Sequence, residues 1–192
     1  MQEKDKNKRR SDRTRQGIFD ALLSLLDEMP YEKINISAIT EKAGVARQSF
    51  YRNYKSKDDV VREYLSELFE RVKGSLCESL DRARVQEVYS SLLTALCGHK
   101  TKLAKLINSK LELLILEPME KLNLFIVEKF YAGDGQRPRR EENYIVRYHS
   151  GGVVSIILGW LRHDMDEPAE SMAALISDFL SAPAPGRGLA PA

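Results

Sequence analysis

The strongest constraint on the fold of this chain is the period of its apolar residues. No segment of its 192 residues sustains the polar–apolar alternation of a half-buried strand, and Pro and Gly fall between segments of helical spacing. The chain is therefore read as all-α. Ile18, Leu22, Leu25 and Leu26 line one face of a first helix over residues 11–27, which Pro30 closes. Two very short helices follow, at 37–43 and 46–53. Ser56 opens a fourth, with Asp59 at the spacing of a capping box, and Val60, Tyr64, Leu65, Leu68 and Val72 form its apolar face. Further helices are predicted at 85–97, 99–108, 109–131, 141–164 and 168–181, with Pro168 in the first turn of the last. Residues 133–138 read as a loop from their turn residues.

The segment 35–54 is the most informative. Asn35 can cap a short helix whose buried face is Ile36, Ile39 and Ala43. Gly44 then stops it, because a tight turn between crossing helices needs a positive φ that glycine adopts cheaply. Val45 fills the angle between the two helices. The next helix turns Phe50 and Tyr54 inward and Arg47, Gln48, Ser49, Tyr51 and Arg52 outward. This is the layout of a helix-turn-helix, whose second helix enters the DNA major groove by its N-terminal end, here at Ala46. Two short amphipathic helices packed in a helical core would also carry a glycine between them. The outward face decides against that: it is small, basic and amide-bearing, unlike the Glu/Lys mixture of a solvated helix. Arg47 can donate bidentately to guanine, Gln48 can pair with adenine, and Ser49 suits base or phosphate. Tyr51 and Lys57 are placed for phosphates, and Ser37, Thr40 and the start of the first short helix for a further one.

Charge distribution agrees only loosely. Residues 1–57 carry 13 Lys and Arg against 8 Asp and Glu, whereas the remainder carries 17 against 20. Most of the excess precedes Gln16, where residues 1–10 are expected to form a disordered basic tail, the other reading being an arm reaching an adjacent minor groove.

From Thr14 to about Leu68 the chain resembles the TetR family of bacterial regulators. The resemblance rests on Thr14-Arg15, Ile18, Ala21, Pro30-Tyr-Glu-Lys-Ile34, Ile39-Thr-Glu-Lys-Ala-Gly-Val-Ala46 and Phe50-Tyr-Arg-Asn-Tyr-Lys-Ser-Lys-Asp-Asp59. It implies phosphate contacts for Tyr51 and Lys57, the turn for Gly44, and a small core around Phe50 and Tyr54. Residues 46–49 vary within the family, so the base-reading roles of Arg47 and Gln48 rest on chemistry alone. The stretch from Tyr148 to Leu161, with the apolar helix after Pro168, is similar to a C-terminal subtype among regulators of low-GC Gram-positive bacteria, one of which regulates dihydroxyacetone kinase genes.

The implied organisation is a helix-turn-helix domain over 11–57, a helical bundle over 58–181 for dimerisation and ligand sensing, and a disordered tail over 182–192. The break near 80–84 or the fourth helix itself separates the halves. Gly151, Gly152, Ser155 and Gly159 permit close helix approach. Each mid-helix glycine costs about 1 kcal/mol relative to alanine, so close packing is a reason to keep them. With Tyr148, Met172, Leu175, Ile176 and Phe179 they are expected to form a four-helix dimer interface, the alternative being packing within one subunit. A dimer would place two short recognition helices on a pseudo-palindromic operator in double-stranded DNA.

No effector can be named. His99, Asn123, Tyr144, Tyr148, His149 and His163 are polar groups in apolar helices, each better explained by capping or solvent than by a ligand, and Trp160 reads as core or interface. The C-terminal half takes either a small-molecule effector or, as in a family relative acting as coactivator, a protein partner. Cys77 and Cys97 have no metal-like spacing and read as buried hydrophobes. No nucleophile–base pair, phosphate loop or metal cluster stands out, so no enzyme, cofactor or metal is expected. With no apolar leader, and its longest apolar stretch at 151–161, the chain is expected to be cytoplasmic and not membrane-bound.

Overall fold

The computed structural model describes the backbone of residues 2–76, 84–131 and 139–181, with side chains over 11–76, 84–130 and 143–181. Among the described residues every regular element is helical: nine α-helices and one 3-10 turn. The expectations for Cys77, for the loop at 133–138 and for the tail at 182–192 lie outside them. Cys97, expected to be buried, is exposed at the C-terminal end of its helix. The chain divides into two compact units, residues 1–67 with 105–115, and residues 68–104 with 116–192.

In the first unit, α1 (Gln2–Leu25) buries Ile18, Leu22 and Leu25, as their spacing predicts. Its start departs from the expectation, because residues 2–10 are helical rather than a disordered tail. Their Glu, Lys, Arg and Gln residues are good helix formers with no Gly or Pro among them, and extending a helix needs no new nucleus. A 3-10 turn (Tyr31–Lys33) leads to α2 (Ile36–Lys42), capped by Asn35, whose Oδ1 accepts from the Ala38 N–H at 2.9 Å. Gly44 has φ +65°. Its N–H donates to Glu41 O (3.1 Å) and that of Val45 to Thr40 O (3.0 Å), the two bonds of a Schellman motif.

The chain then turns into α3 (Arg47–Asn53) and α4 (Lys57–Leu76). The first unit reaches beyond residue 57 because the opening turns of α4 bury Val60, Val61 and Leu65, while Tyr64 stacks on Phe19 of α1 at 4.1 Å. The capping box at the head of α4 is reciprocal. Asp59 N–H donates to Ser56 Oγ (3.2 Å), and the Asp59 carboxylate accepts from the N–H groups of Ser56 (2.8 Å) and Lys55 (3.0 Å). Slight burial pushes the Asp59 carboxyl up, but these bonds and nearby Arg62 outweigh it and hold the group below its ordinary 3.8. A depressed carboxylate stabilises the fold above its unfolded value and loses that contribution as the pH falls through the folded one. Solvent screens this surface charge, so Asp59→Asn is expected to cost only about 0.5 kcal/mol at neutral pH. In urea titrations the gap from the parent should close as the pH drops below 3.8; a gap that persists there would mean the charge contributes nothing.

The second unit contains most of α5 to α9: α5 (Val85–Cys97), the first part of α6 (Lys100–Asn108), α7 (Glu112–Tyr131) from Leu116 onward, α8 (Arg139–Arg162) and α9 (Ala169–Ser181). α9 packs along α5. Met172, Ala173, Ile176 and Leu180 of α9 and Val88, Leu92, Leu93 and Leu96 of α5 are buried. One polar cluster lies in this core. Asn123 of α7 accepts from Tyr89 Oη (2.6 Å) and donates to the carbonyl (3.0 Å) and hydroxyl (3.1 Å) of Ser150 on α8. Burying an amide costs stability unless it is bonded, so all three partners matter to the amide's tolerance in the core. Trp160 is core, its Nε1 donating to Glu167 O at 2.9 Å across the α8–α9 turn.

Candidate nucleic-acid interface

A seven-residue helix is not stable by itself, so tertiary anchoring decides what α3 presents. Phe50 is fully buried and Tyr54 nearly so, and these two inward residues set the opposite face outward. Ala46, Arg47, Gln48, Tyr51 and Arg52 are exposed, and Ser49 is half-buried. Among the described residues the Arg47 guanidinium reaches only toward Tyr51 Oη, at 3.5 Å, which leaves its donors available for a partner outside the chain. Ser37 is exposed on α2.

Two residues expected at phosphates are placed differently. Thr40 is 3% exposed, and its hydroxyl donates to Ser37 O at 3.0 Å, so it belongs to the core of the motif. Lys57 donates to the carbonyls of Tyr31 (2.5 Å) and Ile34 (2.8 Å), with its ammonium 4.1 Å from the centroid of the Tyr31 ring. Tyr31 Oη donates in turn to Asp58 at 2.5 Å. Lys57 and Asp58 thus tie the turn after Pro30 to the head of α4, an inward task that spacing alone does not reveal.

A cleft of about 580 Å³ opens beside α3, lined by Ser11 and Thr14 of α1 together with Gly44, Val45, Ala46, Ser49, Arg52 and Asn53. Sequence spacing does not point to Ser11 and Thr14 as part of this surface. Their i, i+3 separation puts both on one face of α1, but which face meets α3 depends on the packing.

In the second unit, Tyr144 and Tyr148 (75% exposed), Gly151, Gly152 and Ser155 of α8 face outward, as do Leu175 and Phe179 of α9; Gly159 is half-buried. A Cβ placed on Gly151, Gly152 or Gly159 would meet nothing within 4 Å, so packing among the described residues of the chain does not explain these glycines. Met172 and Ile176, expected at the same face, are corrected by the structure. They are buried on the side of α9 where Ala173 and Leu180 lie, because that helix uses its 172–176–180 stripe for its own core.

The polar residues considered for a ligand divide similarly. Asn123 is satisfied internally, and Tyr144, Tyr148 and His163 face solvent. His99 and His149 are half-buried, and burial pushes both imidazoles below the usual range, helped at His99 by Arg71 and Lys102. Among the described residues no group of His, Cys, Asp and Glu is arranged to hold a metal, and no helix is long and apolar enough to cross a membrane.

The family comparison matches both halves. Residues 18–64 fit the model of bacterial regulatory proteins, tetR family, and residues 84–182 that of the transcriptional regulator C-terminal region. This chain belongs to the TetR family. A comparison with curated proteins returned no match. Among solved structures, this TetR-family chain is similar to the dihydroxyacetone kinase operon activator DhaS, with 22% identity and TM-score 0.58 over 87% of this chain and 93% of that one. It is also similar to a TetR regulator from Streptococcus agalactiae, at 19% identity and TM-score 0.64 over 91% and 97%. A third is the repressor FadR of Thermus thermophilus, solved with lauroyl-CoA, at 19% identity and TM-score 0.56 over 90% and 100%. These identities support a shared fold. The family identifies the chain as a DNA-binding transcriptional regulator with a helix-turn-helix.

Proposed function

We propose that this regulator is a homodimeric repressor that binds a pseudo-palindromic operator and releases it when an effector occupies the second unit. The observation that carries the DNA-binding part is the face of α3. Arg47, Gln48 and Ser49 stand at the N-terminal end of a helix anchored from behind by Phe50 and Tyr54. In a major groove that end meets base edges, and Arg and Gln bring the two commonest bidentate pairings. Tyr51, Arg52 and Ser37 flank it at positions suited to the phosphate backbone.

The dimer is supported by the uncovered stripe Tyr144, Tyr148, Gly151, Gly152 and Ser155 on α8 beside Leu175 and Phe179 on α9. Glycines with open space over them are costly in a helix unless another backbone comes close. A second copy of the same two helices meets that need in an isologous interface. Repression follows most directly from a helix seated in the groove, since it blocks the DNA that it covers. Activation needs a further surface for the transcription machinery. Lauroyl-CoA, held by one structural neighbour, is the first effector probe to try, and a ligand that binds only the folded chain raises its melting temperature.

The test is selection of duplexes from a randomised pool by the whole chain. Enrichment of a two-fold-related sequence bound by two chains is expected, with affinity falling steeply as salt rises. Failure to enrich any sequence, even at low salt, would falsify the proposal.

A further inference from the structure

The two buried aromatic anchors of α3 are Phe50 within it and Tyr54 at its extended C-cap, four residues apart on the inward side. Two anchors on one side fix how deep the helix sits, but by themselves they constrain its roll less than its depth. Roll decides where Arg47 and Gln48 point. Beside the packing of α3 on α1 and α2, polar contacts at its C-terminal end add a directional constraint on this roll. Tyr54 Oη donates to Glu63 Oε2 on α4, and Arg15 of α1 donates to Glu63 Oε1 at 2.6 Å. Arg15 is held from its other side by Asp12, at 2.5 Å. Ser11 Oγ, one turn before Arg15, lies 3.4 Å from Asn53 Oδ1, and Asn53 Nδ2 donates back to Ser49 O at 2.7 Å. One carboxylate thereby joins three helices at a single point of the first unit. Burial first, and the bond to Glu63 second, push the Tyr54 phenol well above its ordinary range, so it remains a donor at any physiological pH.

We propose that Glu63 is a positioning residue for base reading: it sets the roll of the recognition helix by gripping Tyr54 and Arg15 at once, without touching DNA. The inference rests on the proposed DNA-binding role of α3. Bidentate pairing tolerates little misalignment, whereas phosphate contacts by flexible side chains tolerate more. Loss of the grip therefore selects against specific binding and spares non-specific binding.

The experiment uses the full-length chain and a duplex that the parent itself selects from a random pool, with a scrambled duplex beside it. In Glu63→Ala, affinity for the selected duplex is expected to fall roughly tenfold, the loss of about one good base contact. Affinity for the scrambled duplex and the salt dependence on both should stay as in the parent, because no phosphate contact is removed. Tyr54→Phe keeps the buried ring and removes only the grip, so it should give the same selective loss. The double variant should lose no more than either single one, as expected for residues acting as a unit. An unchanged ratio of selected to scrambled affinity in folded Tyr54→Phe overturns the assignment, as does a fully additive double variant. Equal loss on both duplexes also overturns it, since that pattern marks general destabilisation. Circular dichroism shows whether Glu63→Ala is folded, and if it is not, Tyr54→Phe alone decides between these outcomes. A parent chain that selects no sequence overturns the DNA-binding reading itself, an outcome visible before any variant is made.

Discussion

Replacing Arg47 and Gln48 together by alanine is expected to abolish selective operator binding while leaving the chain folded. Both side chains are exposed, and neither contributes to the core formed by Ile39, Phe50 and Tyr54, so the melting temperature should move little. Alanine also favours helix more than glutamine or arginine does, which leaves α3 no weaker in its own backbone. Each well-made bidentate contact discriminates by about 1–3 kcal/mol. Two such residues in each of two half-sites put the expected loss at about 10³-fold or more on the selected duplex. On scrambled DNA the loss should be small, because Tyr51, Arg52 and Ser37 remain. A double variant that still prefers the selected duplex would move base reading away from this helix. Lys57 is a different case. Its ammonium is engaged with two backbone carbonyls, so Lys57→Met is a change to the architecture under α4 and not the simple removal of a phosphate contact.

The second large effect is expected at Gly152. Within one chain a Cβ there meets nothing within 4 Å, and the residue is exposed. If the chain worked alone, Gly152→Leu would be harmless or stabilising by up to about 1 kcal/mol, since leucine favours helix far more than glycine. If two copies of α8 cross closely at this point, the added side chain holds them apart. The expected result is therefore a monomer by sedimentation at concentrations where the parent is a dimer, with helical content retained. Operator affinity should fall on the order of 100-fold, because two linked half-site contacts become two independent ones. A Gly152→Leu chain that dimerises like its parent would exclude this face as the interface. Tyr148→Glu should act in the same direction by placing a charge in the middle of the stripe, and Ile176→Glu should not mimic it. Ile176 lies in the core of its own unit, so its replacement unfolds α9 from α5 before it touches any interface.

Much of the helix-turn-helix is legible without the structure. Asn35 as cap, Gly44 as the left-handed residue, and Phe50 and Tyr54 as the inward pair are each implied by residue type at fixed spacing, and each is found. These are local constraints. A cap needs an acceptor at one position, and a reversal of helix direction needs one residue at positive φ, so neighbours in sequence suffice. The capping box of Ser56 and Asp59 is legible for the same reason.

The partner of a side chain that reaches another helix is not legible in this way. Thr40 and Lys57 have the chemistry of phosphate ligands, and both use it inside the protein. Met172 and Ile176 have the same spacing as Leu175 and Phe179 around one amphipathic helix, and periodicity cannot say which side faces the core of its unit. The sequence by itself determined helices as the regular elements, the location of the DNA-binding helix-turn-helix and the residues that shape its turn, because capping, turn and amphipathic rules act over three to five residues. Only the tertiary structure decided that Glu63 joins α1, α3 and α4, that Thr40 is buried, and that the glycines of α8 have open space above them. Those outcomes depend on the rotation of each helix about its own axis, which is set by everything the helix packs against at once.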